Sequence, residues 1–267
     1  MTGTAAGDEH VGGPLHRNRA RASSFGELAE LYDASRPSYP DELVGDLFAR
    51  GARSVLDIGC GTGLLGRAFL ARGLDVTGVE PDERMAAVAT RHGLHVEVAT
   101  FEQWPARDRT FDLLVSGQAW HWVDPVPGTR KAAEVLNTGG SIALVWNHGE
   151  MDGALRASLD AVYARLAPGR ATPTVVHRPS DRKERGGSED ALQSSSGFGD
   201  LEHLSYPWER EYTTAQWVSQ LETHSDHHLM DREARAELLA GVASVIDERG
   251  GTFTMHYDCR ATVARRG

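Results

Sequence analysis

Residues Ser54 to Gly63 read Ser-Val-Leu-Asp-Ile-Gly-Cys-Gly-Thr-Gly, which sets a carboxylate and three alternate glycines at the end of an apolar run. Val55, Leu56 and Ile58 have the pattern of a buried parallel strand. Gly59, Gly61 and Gly63 let the backbone turn sharply and approach a ligand with no Cβ in the way. Leu64 to Ala71 follows as a predicted helix, so the turn presents free N–H groups to whatever sits there. The chemistry on offer is the cradling of a nucleotide-like ligand by backbone amides, with one acid, Asp57, beside it.

Two ligand classes compete for such a turn. Gly61-Thr62-Gly63-Leu64-Leu65-Gly66 also spells G-x-G-x-x-G, the dinucleotide fingerprint. There the first glycine makes the turn directly after the strand, and the pyrophosphate rests on the helix N-terminus. Here Gly59 already holds that place and Gly66 falls about one helical turn late. Asp57 would serve a pyrophosphate poorly and an ammonium well. The pattern D-x-G-x-G-x-G therefore suits a ligand with an ammonium, a ribose and no phosphate, which describes S-adenosylmethionine. A second run, Asp75 to Val79, ends at Glu80-Pro81, about 20 residues after the glycines, where an acid commonly takes ribose hydroxyls. A glycine-rich turn without any ligand is the bland alternative; three spaced glycines and an acid are costly as mere packing.

These groups need a frame, and the chain alternates from residue 53 onward. Strands are predicted at 54–58, 75–79, 95–98, 111–116 and 141–146, with helices at 64–72, 82–92 and near 128–137. That alternation implies an α/β fold: a parallel sheet, helices on both faces, ligands at the carboxyl ends of the strands. Ahead of it, residues 1–22 read as a flexible segment. Phe25 to Asp33 reads as a short helix, Arg36-Pro37-Ser38-Tyr39-Pro40 breaks it, and Asp41 caps another. After 150 come a helix at 151–166, a polar Gly/Ser-rich stretch at 169–199, and a strand at 201–212. Helices at 214–223 and 231–249 and a final strand at 252–264 complete the chain. Residues 23–267 are expected to form one domain, with lid segments near 23–48, 150–200 and 213–230.

Composition narrows the partners. Across 267 residues the formal net charge is −10, and Lys131 and Lys183 are the only lysines. A nucleic acid or an anionic membrane would require a basic face, so neither is expected. Cys60 and Cys259 stand far apart and form neither a disulfide framework nor a metal signature. No apolar run reaches spanning length and the start lacks a signal-peptide core, so a cytoplasmic location is the expectation. Composition leaves the oligomeric state open.

On these motifs the chain resembles the class I S-adenosylmethionine-dependent methyltransferases over roughly residues 25 to 265. Val55 to Gly63 matches the family's first motif. Gly78-Val79-Glu80-Pro81 with Met85 matches the second, and Thr100-Phe101-Glu102 and Phe111 to Val115 match the next two. Tyr32 to Pro40 and Gln118-Ala119-Trp120-His121-Trp122-Val123-Asp124-Pro125 are similar to a small-molecule subgroup of trans-aconitate-type and natural-product O- and S-methyltransferases. The resemblance implies a Rossmann-like seven-stranded sheet whose last strand runs antiparallel, with S-adenosyl-L-methionine as cofactor. It implies that Asp57 and the backbone at Gly59 hold the methionine amino group, within the turn completed by Gly61 and Gly63. Glu80, followed by Pro81, would accept from the ribose hydroxyls. Met85, Thr100 and Phe101 would flank the adenine, and Gln118 would lie beside the methionine moiety. Tyr32 and Arg36 would close the pocket, Arg36 pairing with a cofactor or substrate carboxylate. Thr100 departs from the family pattern, since many relatives carry a small residue followed by an acid there.

Methyl transfer from a sulfonium is an in-line displacement, so alignment and exclusion of water carry much of it. A base is required only where the acceptor is protonated at neutral pH. His121 is the first candidate base, its alternative role being to orient the cofactor or close the site; His148 is the second. Trp120, Trp122 and Trp146 are candidates to line an acceptor pocket, with core packing as the alternative for the Trp residues. His224 lies with His227 and His228 in a cluster that lacks partners spaced for a metal, so no metal is expected. A solvated helix connection is favoured there, and His224 could still line an acceptor cavity. Two functions remain open at this point: an enzyme methylating a small-molecule acceptor, and a non-catalytic S-adenosylmethionine-binding sensor or partner protein.

Overall fold

A computed structural model describes residues 28–170, 189–228 and 230–267. Residues 1–22, expected to be flexible, and 171–188 of the polar stretch lie outside the described residues. The chain runs α1 (Ala29–Ser35), α2 (Asp41–Phe48), β1 (Ser54–Ile58), α3 (Gly66–Leu70), β2 (Asp75–Glu80), α4 (Glu83–Arg91), β3 (His95–Val98) and β4 (Phe111–Gly117). A 3₁₀ turn (Trp120–Trp122), α5 (Pro125–Val135), β5 (Leu136–Glu150), α6 (Gly153–Leu166) and β6 (Phe198–Thr213) follow. The chain ends with α7 (Thr214–Glu222), α8 (Ser225–His228), α9 (Arg232–Asp247) and β7 (Thr252–Arg266).

The strands form one seven-stranded sheet in the order β3-β2-β1-β4-β5-β7-β6. β1 to β5 pair in parallel; β7 runs antiparallel to both β5 and β6. The α/β class, the Rossmann-like arrangement and the reversed last strand are thus as expected. The strand order changes direction between β1 and β4, which places a crevice at their carboxyl ends.

Residue parity decides what reaches that crevice, since alternate side chains of a strand face opposite sides. Val55, Leu113, Val115, Ala143 and Val145 pack on one face beneath α2 and α3. Leu56, Ile58, Leu114, Ile142 and Leu144 pack on the other, with Val135 of α5 and Trp104. Asp57 continues the first series and Trp146 the second. A third apolar cluster, built on Tyr163, Trp217, Leu238, Val242 and Tyr257, joins α6, α7 and α9 to the outer ends of β6 and β7. α1 packs on α7, so the N-terminal helix and this outer layer meet over the strand ends.

Two elements differ from expectation. α3 is only Gly66–Leu70, because Leu64 and Leu65 finish the glycine turn and the chain turns out again at Gly73, where φ is +81°. β5 extends from Leu136 to Glu150, well beyond 141–146: Leu136 pairs with Phe111 of β4 at its start, and β7 pairs with it from Ser141 to Glu150. Pairing with a distant strand supplies hydrogen bonds that no local pattern announces.

Leu113 is buried at the centre of the sheet and Val126 is 74% exposed. Leu113→Ala is expected to cost about 2–5 kcal/mol of folding stability. Val126→Ala should stay within about 0.5 kcal/mol. The urea midpoints of the two variants check this.

Candidate functional site

The glycine turn is held from both strand ends. The amides of Gly59 and Cys60 donate to the Val79 carbonyl at 2.8 and 3.2 Å, and the Gly63 amide donates to the Cys60 carbonyl at 2.8 Å. φ is +64°, +56° and +87° at Gly59, Gly61 and Gly63, a region that side chains rarely adopt. A Cβ on Gly59 would stand 2.7 Å from that of Ala119. The turn therefore lies directly against the segment leaving β4.

Glu80 clamps two turns at once. Its Oε2 accepts from the Gly61 amide at 2.9 Å, and its Oε1 accepts from the Asp82 amide at 3.0 Å. Asp82 in turn caps α4 by accepting from the amides of Arg84 and Met85. Asp57 is 1% exposed, and its Oδ2 has no hydrogen-bond partner among the described residues. Burial pushes the Asp57 carboxyl up to about 7, opposed by the Gly66 amide and reinforced by the charge of Glu80. Burial likewise pushes Glu80 to about 7, against the pull of the Asp82 and Gly61 amides. The site thus holds two buried carboxyls, and no cation among the described residues pairs with them.

Around this turn the other sequence-predicted residues fall as follows. Pro81 is exposed on the turn after β2. Met85 packs with Ala29, Val88 and Tyr32, its Cε 3.4 Å from where a Cβ on Gly61 would lie. Thr100 has a buried hydroxyl with no hydrogen-bond partner among the described residues. Phe101 is buried 6.0 Å from Trp120, which is itself fully buried in the core. Gln118 ends β4 with φ +57°, its amide N–H on the Val145 carbonyl at 2.9 Å and its Nε2 on the Asn147 carbonyl at 3.1 Å. A positive φ away from glycine is costly and marks a position that its surroundings hold firmly.

His121 stacks on Trp146 with ring centroids 5.3 Å apart and lies 4.7 Å from Trp122. His148 is half-buried on β5, in register with Asp258 of β7. Trp146 and His148 share the sheet face opposite Asp57. Arg36 turns towards α7: its Nε and Nη2 donate to the Thr223 hydroxyl and carbonyl, both at 2.9 Å, and its guanidinium lies 4.7 Å above the Tyr32 ring. His224 follows α7, and its Nε2 is buried without a hydrogen-bond partner among the described residues. His227 is engaged through Nε2 with the Tyr163 hydroxyl at 2.7 Å.

Three side chains at this place had no part in the sequence reading. Tyr39 rests against Gly117, where any Cβ would collide with its hydroxyl. Asn147 donates to the Ser38 carbonyl at 3.0 Å and accepts from Trp208 Nε1 at 3.2 Å, tying β5 to the N-terminal segment and to β6. Gln220 is fully buried on α7. Tyr39 belongs to the Tyr32 to Pro40 motif; Asn147 and Gln220 carry no local signal.

Comparison with known proteins finds methyltransferases. Residues 56–144 match a family described as a methyltransferase domain. An uncharacterised methyltransferase of Mycobacterium tuberculosis is 43% identical over 132 residues, 48% of this chain and 54% of the relative. A malonyl-[acyl-carrier protein] O-methyltransferase of Pseudescherichia vulneris is 30% identical over 162 residues, 58% of this chain and 64% of that protein. The chain spans about half the length of the first of these relatives. A solved structure of a candidate type II methyltransferase from Anaeromyxobacter dehalogenans is 26% identical, with a TM-score of 0.66, covering 86% of this chain and 97% of the other.

The two raised carboxyls fix a pH dependence. The unfolded chain ionises Asp and Glu near pH 4, whereas the fold keeps Asp57 and Glu80 protonated until about 7. Between those values the unfolded state holds fewer protons, so stability falls as pH rises. The melting temperature of the ligand-free protein is expected to drop by on the order of 5 °C between pH 5 and pH 7.5. Asp57→Asn should flatten part of that drop, as scanning calorimetry at the two pH values would show.

Proposed function

We propose that this chain is a class I S-adenosylmethionine-dependent methyltransferase that moves a methyl group to a small-molecule acceptor by in-line displacement, a reading that its fold and its matched segment support. The observation that carries the reading is the unpartnered, buried Asp57 Oδ2 beside a glycine turn that Glu80 holds open. An orphaned buried carboxylate oxygen is expensive, and a ligand ammonium completes it. The cradle also fits: Gly59 and Gly61 present backbone where a Cβ would obstruct, and Glu80 keeps acceptor lone pairs beyond those used by Gly61 and Asp82. When bound, S-adenosylmethionine supplies a methyl group activated by its sulfonium.

The residues of the chain then bind, orient and exclude water. Asp57 and the Gly59 backbone hold the amino group, and Glu80 takes the ribose hydroxyls with Pro81 shaping its turn. Met85, Thr100 and Phe101 border the adenine. Gln118, fixed in its strained conformation, borders the methionine moiety, and Tyr32 covers the site from α1. Trp120 lies deeper in the core than a pocket wall would, so Trp122 and Trp146 are the aromatic surfaces nearest the acceptor. Where the acceptor is protonated, His121 or His148 serves as base; an ionised acceptor needs none. The O-methyltransferase among the relatives supports oxygen as the acceptor atom. Two free, buried cysteines fit a reducing, cytoplasmic compartment.

Calorimetry with S-adenosylhomocysteine tests the binding half of this reading. Glu80→Ala and Asp57→Ala are each expected to weaken binding by about tenfold or more, as loss of a charge-assisted hydrogen bond implies. Affinities within twofold of the wild type would sink the assignment. Because the ionised carboxyls do the binding, affinity should rise from pH 6 to pH 8, opposite in sign to the stability trend. Release of S-adenosylhomocysteine from S-adenosylmethionine with a panel of acceptors tests the catalytic half. Binding without release across the panel would favour the sensor.

A further inference from the structure

The lid side of the site has the reverse electrostatic defect. Arg36 and Arg210 are both half-buried, and neither makes an ion pair with a carboxylate among the described residues. Arg36 is occupied by Thr223 through two of its nitrogens. Arg210 Nη1 donates to the carbonyls of Ser35 and Arg36 at 3.3 and 3.1 Å, and its guanidinium lies 4.6 Å from the Tyr212 ring centroid. Both guanidiniums lie within electrostatic reach of the Tyr212 hydroxyl, which is 2.7 Å from that of Tyr257. In a chain of formal net charge −10, two guanidiniums left without an acid among the described residues are unexpected.

The polar groups beside them are also unfinished. Gln220 is fully buried, and neither its Oε1 nor its Nε2 closes a hydrogen bond among the described residues, although its amide approaches the Tyr257 hydroxyl. His224, four residues on, has the buried Nε2 already described. Burial and the neighbouring Arg36 hold the His224 pKa well below the ordinary range, against the opposing pull of Asp226, so the imidazole is neutral at pH 7. Thr223 joins the parts: its hydroxyl accepts from Arg36 Nε and donates to the Gln220 carbonyl at 2.7 Å. Natural proteins leave few such atoms unpaired in their interiors, and clusters of them mark a place that something else completes.

We propose that Arg36, Arg210, Gln220 and His224 form an anchoring site for a carboxylate carried by the methyl acceptor. The inference rests on the methyltransferase reading and names its substrate class, a small organic acid. A carboxylate supplies negative charge for the guanidiniums and acceptor oxygens for the Gln220 amide and His224 imidazole N–H groups. Arg36 stacks on Tyr32, which packs against Met85 beside the glycine turn. The anchor is therefore contiguous with the cofactor side of the site, and the acid group acts as a handle.

The test uses the full chain saturated with S-adenosylhomocysteine. Benzoate, phenylacetate and succinate are titrated by calorimetry, each beside its amide. At least one acid is expected to bind ten times more tightly than its amide, and Gln220→Leu to reduce that acid's affinity by about tenfold. The same variant should retain S-adenosylhomocysteine affinity within twofold. It should also raise the melting temperature of the ligand-free protein, because it removes two unpaired buried atoms at similar volume. Arg210→Met, away from α7, should also abolish the preference for acid over amide. The proposal is overturned if no acid outbinds its amide, or if Gln220→Leu melts lower while acid binding is kept. A parallel loss of S-adenosylhomocysteine affinity would assign the anchor to the cofactor's own carboxylate and overturn it as well. A wild type that binds no S-adenosylhomocysteine would defeat the cofactor reading instead, and the acid titration without it would still decide this one.

Discussion

The hydrogen bond from the Gly61 amide to Glu80 is the contact on which the rest of the site is built. It joins the end of β2 to the middle of the turn after β1, and the other carboxylate oxygen reaches the Asp82 amide that opens α4. One side chain therefore sets where two loops stand. The turn can meet it only because Gly59, Gly61 and Gly63 take positive φ. Burying this carboxylate beside Asp57 works against the fold, since among the described residues neither acid is paired with a cation. Such a defect is characteristic of a binding surface, where groups are arranged for a ligand rather than for one another.

Strand parity explains why the crevice draws on both layers of the molecule. Asp57, Gly117 and Asn147 occupy odd positions that continue the face covered by α2 and α3, and Tyr39 enters from that side. Trp146 and His148 continue the opposite face, where His121 stacks. At the strand ends the two series come together. A slip of one residue in β5 would exchange Asn147 for His148 and undo the links to Ser38 and Trp208. Pairing with β4 on one side and β7 on the other prevents that slip.

Legibility in the sequence followed the range of the interactions. The short apolar runs of β1, β2 and β4, the glycines and the acids at strand ends are local signals, and they carry the fold class and the cofactor that we propose. The true length of β5 depends on β7, more than a hundred residues away, and was not legible. Arg36 shows the same limit: its type and motif were noticed, but its partner Thr223 is 187 residues distant. Gln220 looks like one more polar residue on an amphipathic helix. Only the packing of α7 against α1 and the outer strands makes its burial unusual.

The site therefore contains two neighbourhoods of opposite sign, divided by an aromatic ring. Among the described residues, Asp57 and Glu80 at the glycine turn are acids without cations, and Arg36 and Arg210 at the lid are cations without an ion-paired acid. Tyr32 stands between them, packed on Met85 on one side and stacked under Arg36 on the other. A chain selected only for stability would bring such groups together, because a paired buried charge costs far less than two separate ones. Keeping them apart creates a field that draws a cationic ligand to the turn and an acidic one to the lid. Two ligands sorted in this way arrive side by side with their orientations already determined, and that positioning is what a displacement between them requires of the protein.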